Sequence, residues 1–440
     1  MSALQGATEY RDAWRGLRML VPAGWQVRRS EVGLTLHDPA VRRLLTVQPR
    51  PCARTLGELE EALAAWLRRL DTRANLLPGP RDSETTLVVS VKLETAPAGE
   101  IAGVFALQHG PAGGLISGYL MPNPARAEDA RVAEAVLASL ASASAVPRRL
   151  WQEEAEGAGT AVVPEGWQPE GRIDRANPAG VGAVSFQAWA GPATGVAAGG
   201  QGRMFMEPGL LTGLMGSLSG GLVSQGRYVD AAGYVRAHLL PSLMREFGEV
   251  EIEAITPRPE LTVQAAAHEA AASGLSLAEI LRGEPSGADV LLTFRINGAP
   301  VRQVSRVVTL RVPPLMGRGL PMWMAMQPYS YRAPVAEWAD REPVLEGIAH
   351  AFRVSPDWQH AEQERVRRAF AGRLPNVRHQ ALDPDALLQE AEGLVCAHGA
   401  RLGWHERPFC LGRAEVAQKE ALSVAPELYE QCVWRTGIPG

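Results

Sequence analysis

Val21-Pro22-Ala23-Gly24-Trp25-Gln26 returns about 140 residues later, a whole-domain spacing, as Val163-Pro164-Glu165-Gly166-Trp167-Gln168. Each copy closes an apolar run and opens a more polar stretch. In both, proline fixes a backbone angle, glycine admits a turn and tryptophan suits a plug at the end of a packed layer. The spacing marks duplication of a compact domain rather than a solenoid of short repeats.

Working outward from the first copy, Leu17 to Val21, Val32 to His37 and Leu44 to Val47 read as strands separated by turn-forming residues. Thr55, three residues before Glu58, forms a capping box, and Leu56, Leu59, Leu63, Trp66, Leu67 and Leu70 follow at helical spacing. After the turn signal Pro78-Gly79-Pro80 come strands over Thr86 to Leu93, Ile101 to Gln108 and Leu115 to Met121. A helix over Ala125 to Leu140 closes the unit.

The second copy repeats this order with longer connections. Ala161 to Val163 and Ala183 to Trp189 read as strands, followed by a loop rich in Gly, Ala and Met. A helix is expected over Tyr228 to Phe247, kinked or restarted at Pro241. Glu251 to Ile255 resumes the sheet, and Leu261 to Leu281 reads as helical. Val290 to Ile296 runs into Asn297-Gly298, a strong hairpin signal, with Val301 to Val312 as partner. Trp323 to Gln327 is expected as the last strand and Val335 to Phe352 as the closing helix. Residues beyond Val354 fit neither copy. Domains are therefore expected over 1–148 and 149–358, with a helical appendage over 359–440.

The V-P-x-G-W start, the helix after the third strand and the closing helix resemble the PsbP-like superfamily, which also holds the Ran-GTPase-binding Mog proteins and bacterial DcrB-like proteins. Tyr329 to Pro334 before the closing helix, and Ala351-Phe352-Arg353 at its end, look like that family's finish. The resemblance spans Glu9 to Trp358. It implies an α+β class built as two tandem α/β/α sandwiches on antiparallel sheets, used mostly for binding. The family has no common catalytic residues, so none is carried over.

With 440 residues, 46% of them hydrophobic, the chain is long enough for two to three domains with sizeable cores. A formal net charge of −4 disfavours nucleic acid or an anionic membrane as partner. Lys92 and Lys419 are the only lysines, a bias of a GC-rich genome. The opening Met1 to Gly16 lacks the pattern of a secretory signal, and no apolar run reaches spanning length, so a bacterial, cytoplasmic protein without a transmembrane segment is expected. The cysteines Cys52, Cys396, Cys410 and Cys432 are too unevenly placed for a disulfide framework and read as thiols.

Chemistry-bearing clusters are sparse. Cys396, His398, His405 and Cys410 offer sulfur and imidazole donors, but their spacing departs from that of structural zinc sites. Buried thiols in a helical tail are the competing reading, and no cofactor is expected. Gly216-Ser217-Leu218-Ser219-Gly220 fails the nucleophile-elbow pattern because Leu218 stands at its centre. Gly180-Val181-Gly182 and Gly317-Arg318-Gly319 lack the third glycine of a dinucleotide fingerprint. Glu60-Glu61, Glu153-Glu154 and Asp340 with Glu342 read as solvated faces.

The stretch from Met204 to Met215 carries Met204, Phe205, Met206, Leu210, Leu211, Leu214 and Met215 among glycines, an adaptable apolar surface suited to a protein or peptide partner. The competing reading folds it back over the sheet. Trp323 to Met326 reads as core. These features favour a non-enzymatic binding, adaptor or scaffold protein, with self-association as a variant. The alternative is a metal- or cysteine-dependent hydrolase using Cys396, His398, His405 and Cys410.

Overall fold

The computed structural model describes residues 4–30, 33–38, 43–50, 53–70, 74–95, 99–110, 113–122, 127–175, 182–200, 202–208, 224–258, 261–262, 265–266, 277–312 and 322–369. The described residues form two compact units that meet in sequence between Val146 and Pro147, and their class is α+β with strand predominating. Among the described residues no helix is long and apolar enough to cross a membrane.

The first unit runs β1 (Thr8–Asp12), β2 (Leu17–Val21), β3 (Gln26–Ser30), β4 (Gly33–Asp38), β5 (Arg43–Arg50), α1 (Leu56–Leu70), β6 (Asn75–Ser83), β7 (Thr86–Thr95), β8 (Gly99–Gly110), β9 (Gly113–Pro122), α2 (Ala127–Ala138) and β10 (Ala141–Ser142). Seven strands form an antiparallel sheet in the order β3-β4-β5-β9-β8-β7-β6, while β1-β2-β10 form a small separate one. The Thr55 half of the capping box is present, the Glu58 N–H donating to Thr55 Oγ1 at 3.2 Å, while Glu58 Oε2 accepts from the N–H of Arg54, one residue before the cap, at 2.6 Å. Leu56, Leu59, Leu63 and Leu67 put one helical stripe against β7, β8 and β9, each burial contributing roughly 1.5–3 kcal/mol. Leu45, Val47 and Met121 belong instead to a core with β2 and α2. Because consecutive strand residues such as Leu44 and Leu45 divide between these two cores, α1 and α2 cover opposite faces of the sheet.

Pro78-Gly79-Pro80 is not a turn between elements, as its composition suggests, but lies inside β6. That strand is at the sheet edge and its register shifts twice, at Pro78 to Arg81 and at Arg81 to Ser83, which is where a sheet tolerates prolines.

The second unit runs β11 (Arg148–Gln152), β12 (Gly159–Pro164), β13 (Gln168–Asp174), β14 (Ala183–Gly191), β15 (Thr194–Gly199), β16 (Arg203–Met206), β17 (Ser224–Gln225), α3 (Ala231–Tyr234), a π-helical turn (Val235–Leu239), α4 (Leu240–Phe247), β18 (Val250–Pro257), α5 (Leu277–Arg282), β19 (Ser286–Ile296), β20 (Ala299–Val312), β21 (Met322–Met326), β22 (Tyr329–Pro334), α6 (Trp338–Ala351), β23 (Arg353–Val354) and α7 (Pro356–Ala369). One path through its large sheet, β13-β14-β15-β22-β20-β19-β18, matches the first unit strand for strand, and the small sheet β11-β12-β23 parallels β1-β2-β10.

The two repeated hexapeptides make the same turn. Gly24 and Gly166 have φ of 82° and 81°, and the Trp25 and Trp167 N–H groups donate to the Pro22 and Pro164 carbonyls at 3.2 and 3.3 Å. Trp167 is buried, whereas Trp25 is half-exposed beneath the Arg43 guanidinium.

Helix α3 starts at Asp230, whose carboxylate accepts from the Gly233 N–H, and a fresh α-helix, α4, begins at Leu240 with Pro241 in its first turn, as the proline requires. Asn297 and Gly298, with φ of 51° and 81°, make the tight turn between β19 and β20. Two expectations need correction. Trp323 to Gln327 is not the last strand, because Tyr329–Pro334 pairs with both β15 and β20 inside the sheet. The expected loop after Trp189 holds strands β15 and β16, which pair with β14 and β22 and with β21 respectively. Of the expected helix over 261–281, most residues lie outside those described.

Candidate functional site

The large sheet of the second unit forks at β20. Its first half pairs with β22 over Val301 to Ser305, and its second half with β21 over Val308 to Val312. From β22 one branch continues through β15, β14 and β13; from β21 the other continues through β16 and β17. A cleft of about 460 Å³ opens between the branches, within the usual range for ligand sites.

Strand alternation decides what lines it. Phe186 and Ala188 turn inward, so Ser185 and Gln187 point to the other face of β14. Cross-strand register then brings Glu170, Gln187, Ala197 and Ser330 into one row, with Arg172 and Ser185 in the next. Gln187 Nε2 donates to Glu170 Oε2 at 2.8 Å. Further along this face the Trp189 ring lies against Gly195, where a Cβ would collide with it, and the Arg332 guanidinium sits 4.8 Å above that ring and 5.5 Å from Phe247.

The other branch supplies Arg203 from β16 and Ala325 from β21, and Tyr234 comes from the end of α3. Tyr234 is 4% exposed, edge-on to Phe205 and Trp323, and its hydroxyl has no hydrogen-bond partner among the described residues. Burial pushes its pKa up, only partly offset by Arg203, so the hydroxyl stays protonated and able to donate. One turn later, in the π-helical segment, His238 lies 4.9 Å from the Phe205 ring and 5.2 Å from that of Tyr234. Burial lowers its pKa and Arg203 lowers it further, leaving a neutral imidazole at pH 7. Single π turns within helices are frequent at functional sites.

The residues singled out from sequence fall elsewhere or only touch this place. Of the apolar stretch, Met204 is half-buried on β16. Phe205 and Met206 are 1% and 5% exposed, and Phe205 stacks on Trp323 with ring centroids 4.0 Å apart. They belong to the core and are not a free contact surface, because β16 pairs with β21 and turns Phe205 inward. Leu210, Leu211, Leu214 and Met215 lie outside the described residues, as do Cys52, Cys396, His398, His405, Cys410 and Cys432. So do Gly216 to Gly220 and Gly317 to Gly319.

Glu153 is not on a solvated face. Burial would push its carboxyl up, but the N–H groups of Glu156, Ala155 and Ala158 hold it below the usual carboxylate range. Sequence reasoning missed Arg203, Tyr234 and His238, which the fork alone brings together. Its one visible signal was the glycine-rich link Gly199 to Gly202 between the two branches.

No family model matches the chain, and no curated protein matches it. Among solved structures it is similar to the cyanobacterial PsbP (CyanoP) of Synechocystis sp. PCC 6803, with a TM-score of 0.24 and 15% identity over 31% of this chain and 92% of that one. It is also similar to the type VI secretion immunity protein TplEi of Pseudomonas aeruginosa, in complex with "L" peptide, at TM-score 0.17 and 7% identity over 80% and 99% of the two chains. A chain of the Tle4-Tli4 complex matches at TM-score 0.17 and 8% identity, over 80% of this chain and 99% of its own. All three scores lie well below 0.5, and nothing about partner or activity passes from these proteins to this chain.

Proposed function

We propose that the chain is a tandem duplication of PsbP-like α/β/α sandwiches and acts as a non-enzymatic binding protein, taking a segment of a peptide or protein partner in the cleft of the second unit. The shared strand order and the matching glycine φ and hydrogen bond of the two hexapeptide turns support the duplication. The cleft itself carries the functional reading. Its lining sets Glu170, Gln187, Ser185 and Ser330 with Tyr234 and Arg203, and it lies in the copy whose sheet has gained the second branch β21-β16-β17. Ser, Gln, Tyr and Arg side chains on small-residue strands orient a bound chain.

The test is capture of the natural partner by the full chain and by an Ala197→Phe variant, which fills the floor of the cleft. Retained melting temperature with partner capture lost by the variant is the expected result. Equal capture by both proteins would sink the reading.

A further inference from the structure

Arg172 and Arg203 both line the cleft, and neither forms an ion pair with a described residue. Both guanidinium groups are exposed, and together with the protonated Tyr234 hydroxyl they give the cleft lining N–H and O–H donors for an anion. Arg203 is close enough to Tyr234 and His238 to shift the titration of each. We infer that the cleft holds a monoanionic carboxylate, accepting hydrogen bonds from the Arg203 guanidinium and the Tyr234 hydroxyl. This specification rests on the binding role proposed above for the same cleft.

The charge balance selects the class of anion. Two guanidinium groups and the Glu170 carboxylate leave the lining with one net positive charge, which matches one carboxylate. A phosphate dianion would face Glu170, whose one hydrogen-bond donor among the described residues is the neutral Gln187 amide. Small side chains at Ala197 and Ala325, with the Tyr234 ring, accept the apolar body behind the anionic group. A peptide terminus and a free carboxylic acid share this chemistry.

Calorimetry on the full chain distinguishes these sources, using N-acetyl-trialanine as the free acid, the same peptide as its C-terminal amide, sodium acetate and inorganic phosphate. The free acid is expected to bind at least about tenfold more tightly than the amide, because only the acid makes charge-assisted hydrogen bonds. Arg203→Gln should weaken the acid about tenfold or more, and Tyr234→Phe about three- to tenfold, with melting temperatures unchanged. Binding should also raise the pKa of His238, read by NMR, because the carboxylate offsets the nearby guanidinium. Acetate as tight as the peptide acid assigns the site to small carboxylates; a markedly tighter peptide assigns it to chain termini.

Equal affinity for acid and amide, tighter binding of phosphate, no carboxylate binding at millimolar concentration, or indifference to Arg203→Gln would each overturn the inference. If acid and amide bind alike but Ala197→Phe abolishes both, the cleft remains a binding site and only its carboxylate specificity falls. If Ala197→Phe changes nothing, both readings fall.

Discussion

Trp189 lies across the backbone of Gly195, and Arg332 rests on the exposed face of the indole. A methyl group at 195 would occupy the space of the ring, so Gly195→Ala must expel the tryptophan and its cation–π partner. We expect a loss of about 1–3 kcal/mol in urea unfolding and a change in near-ultraviolet circular dichroism. Asp289 has a different burden. Burial would raise its pKa, but Arg306, giving hydrogen bonds of 2.7 and 2.9 Å, and Arg258, at 2.7 Å, hold the carboxyl below its usual range. Asp289→Asn leaves two arginines facing a neutral amide, one of them largely buried. The expected cost is about 3–5 kcal/mol, measured by denaturant unfolding. Neither role is legible in the sequence, where Gly195 falls in a stretch that reads as loop and Asp289 just before a strand-like run.

Helix α7 is held to the second unit by charge more than by apolar surface. Arg175 donates to both Glu156 and Glu362, Glu362 also accepts from Arg365 and the Gly182 N–H, and the Trp358 indole donates to Glu156. The hydrogen bonds from Arg365 and Arg175 to Glu362, and those from Arg175 and Trp358 to Glu156, hold both carboxyls at about 2. Their folded pKa values lie below the ordinary 4.5, so this stabilisation is present above that value and is lost as the pH falls toward 2. Acid titration should therefore release α7 in that window, seen as a fluorescence change absent from Trp358→Phe. Glu362→Gln should weaken docking at neutral pH and flatten the step. The sequence carries a helical signal here, but the border expected at 358–359 falls inside α7, because Arg175 is nearly 190 residues upstream and leaves no local pattern. By contrast, α1 is legible in full: its cap and leucine stripe are both local.

Each unit has its own apolar cores, and the first reaches a size at which a single domain ordinarily folds. Residues 1–146 expressed alone should unfold cooperatively in urea, with dispersed amide resonances; a broad, non-cooperative transition would count against an independent unit. The sequence by itself determined the repeated hexapeptide turn, helix α1 with its leucine stripe and the Asn297-Gly298 hairpin, because caps, turns and periodicity act over a few residues. Tertiary structure alone decided the fork at β20, the pairing of Tyr329–Pro334 inside the sheet, the burial of Phe205 and the placing of Arg203 and Tyr234 in one cleft. Those depend on which strands become neighbours, and strand pairing joins residues more than a hundred positions apart that no local pattern relates.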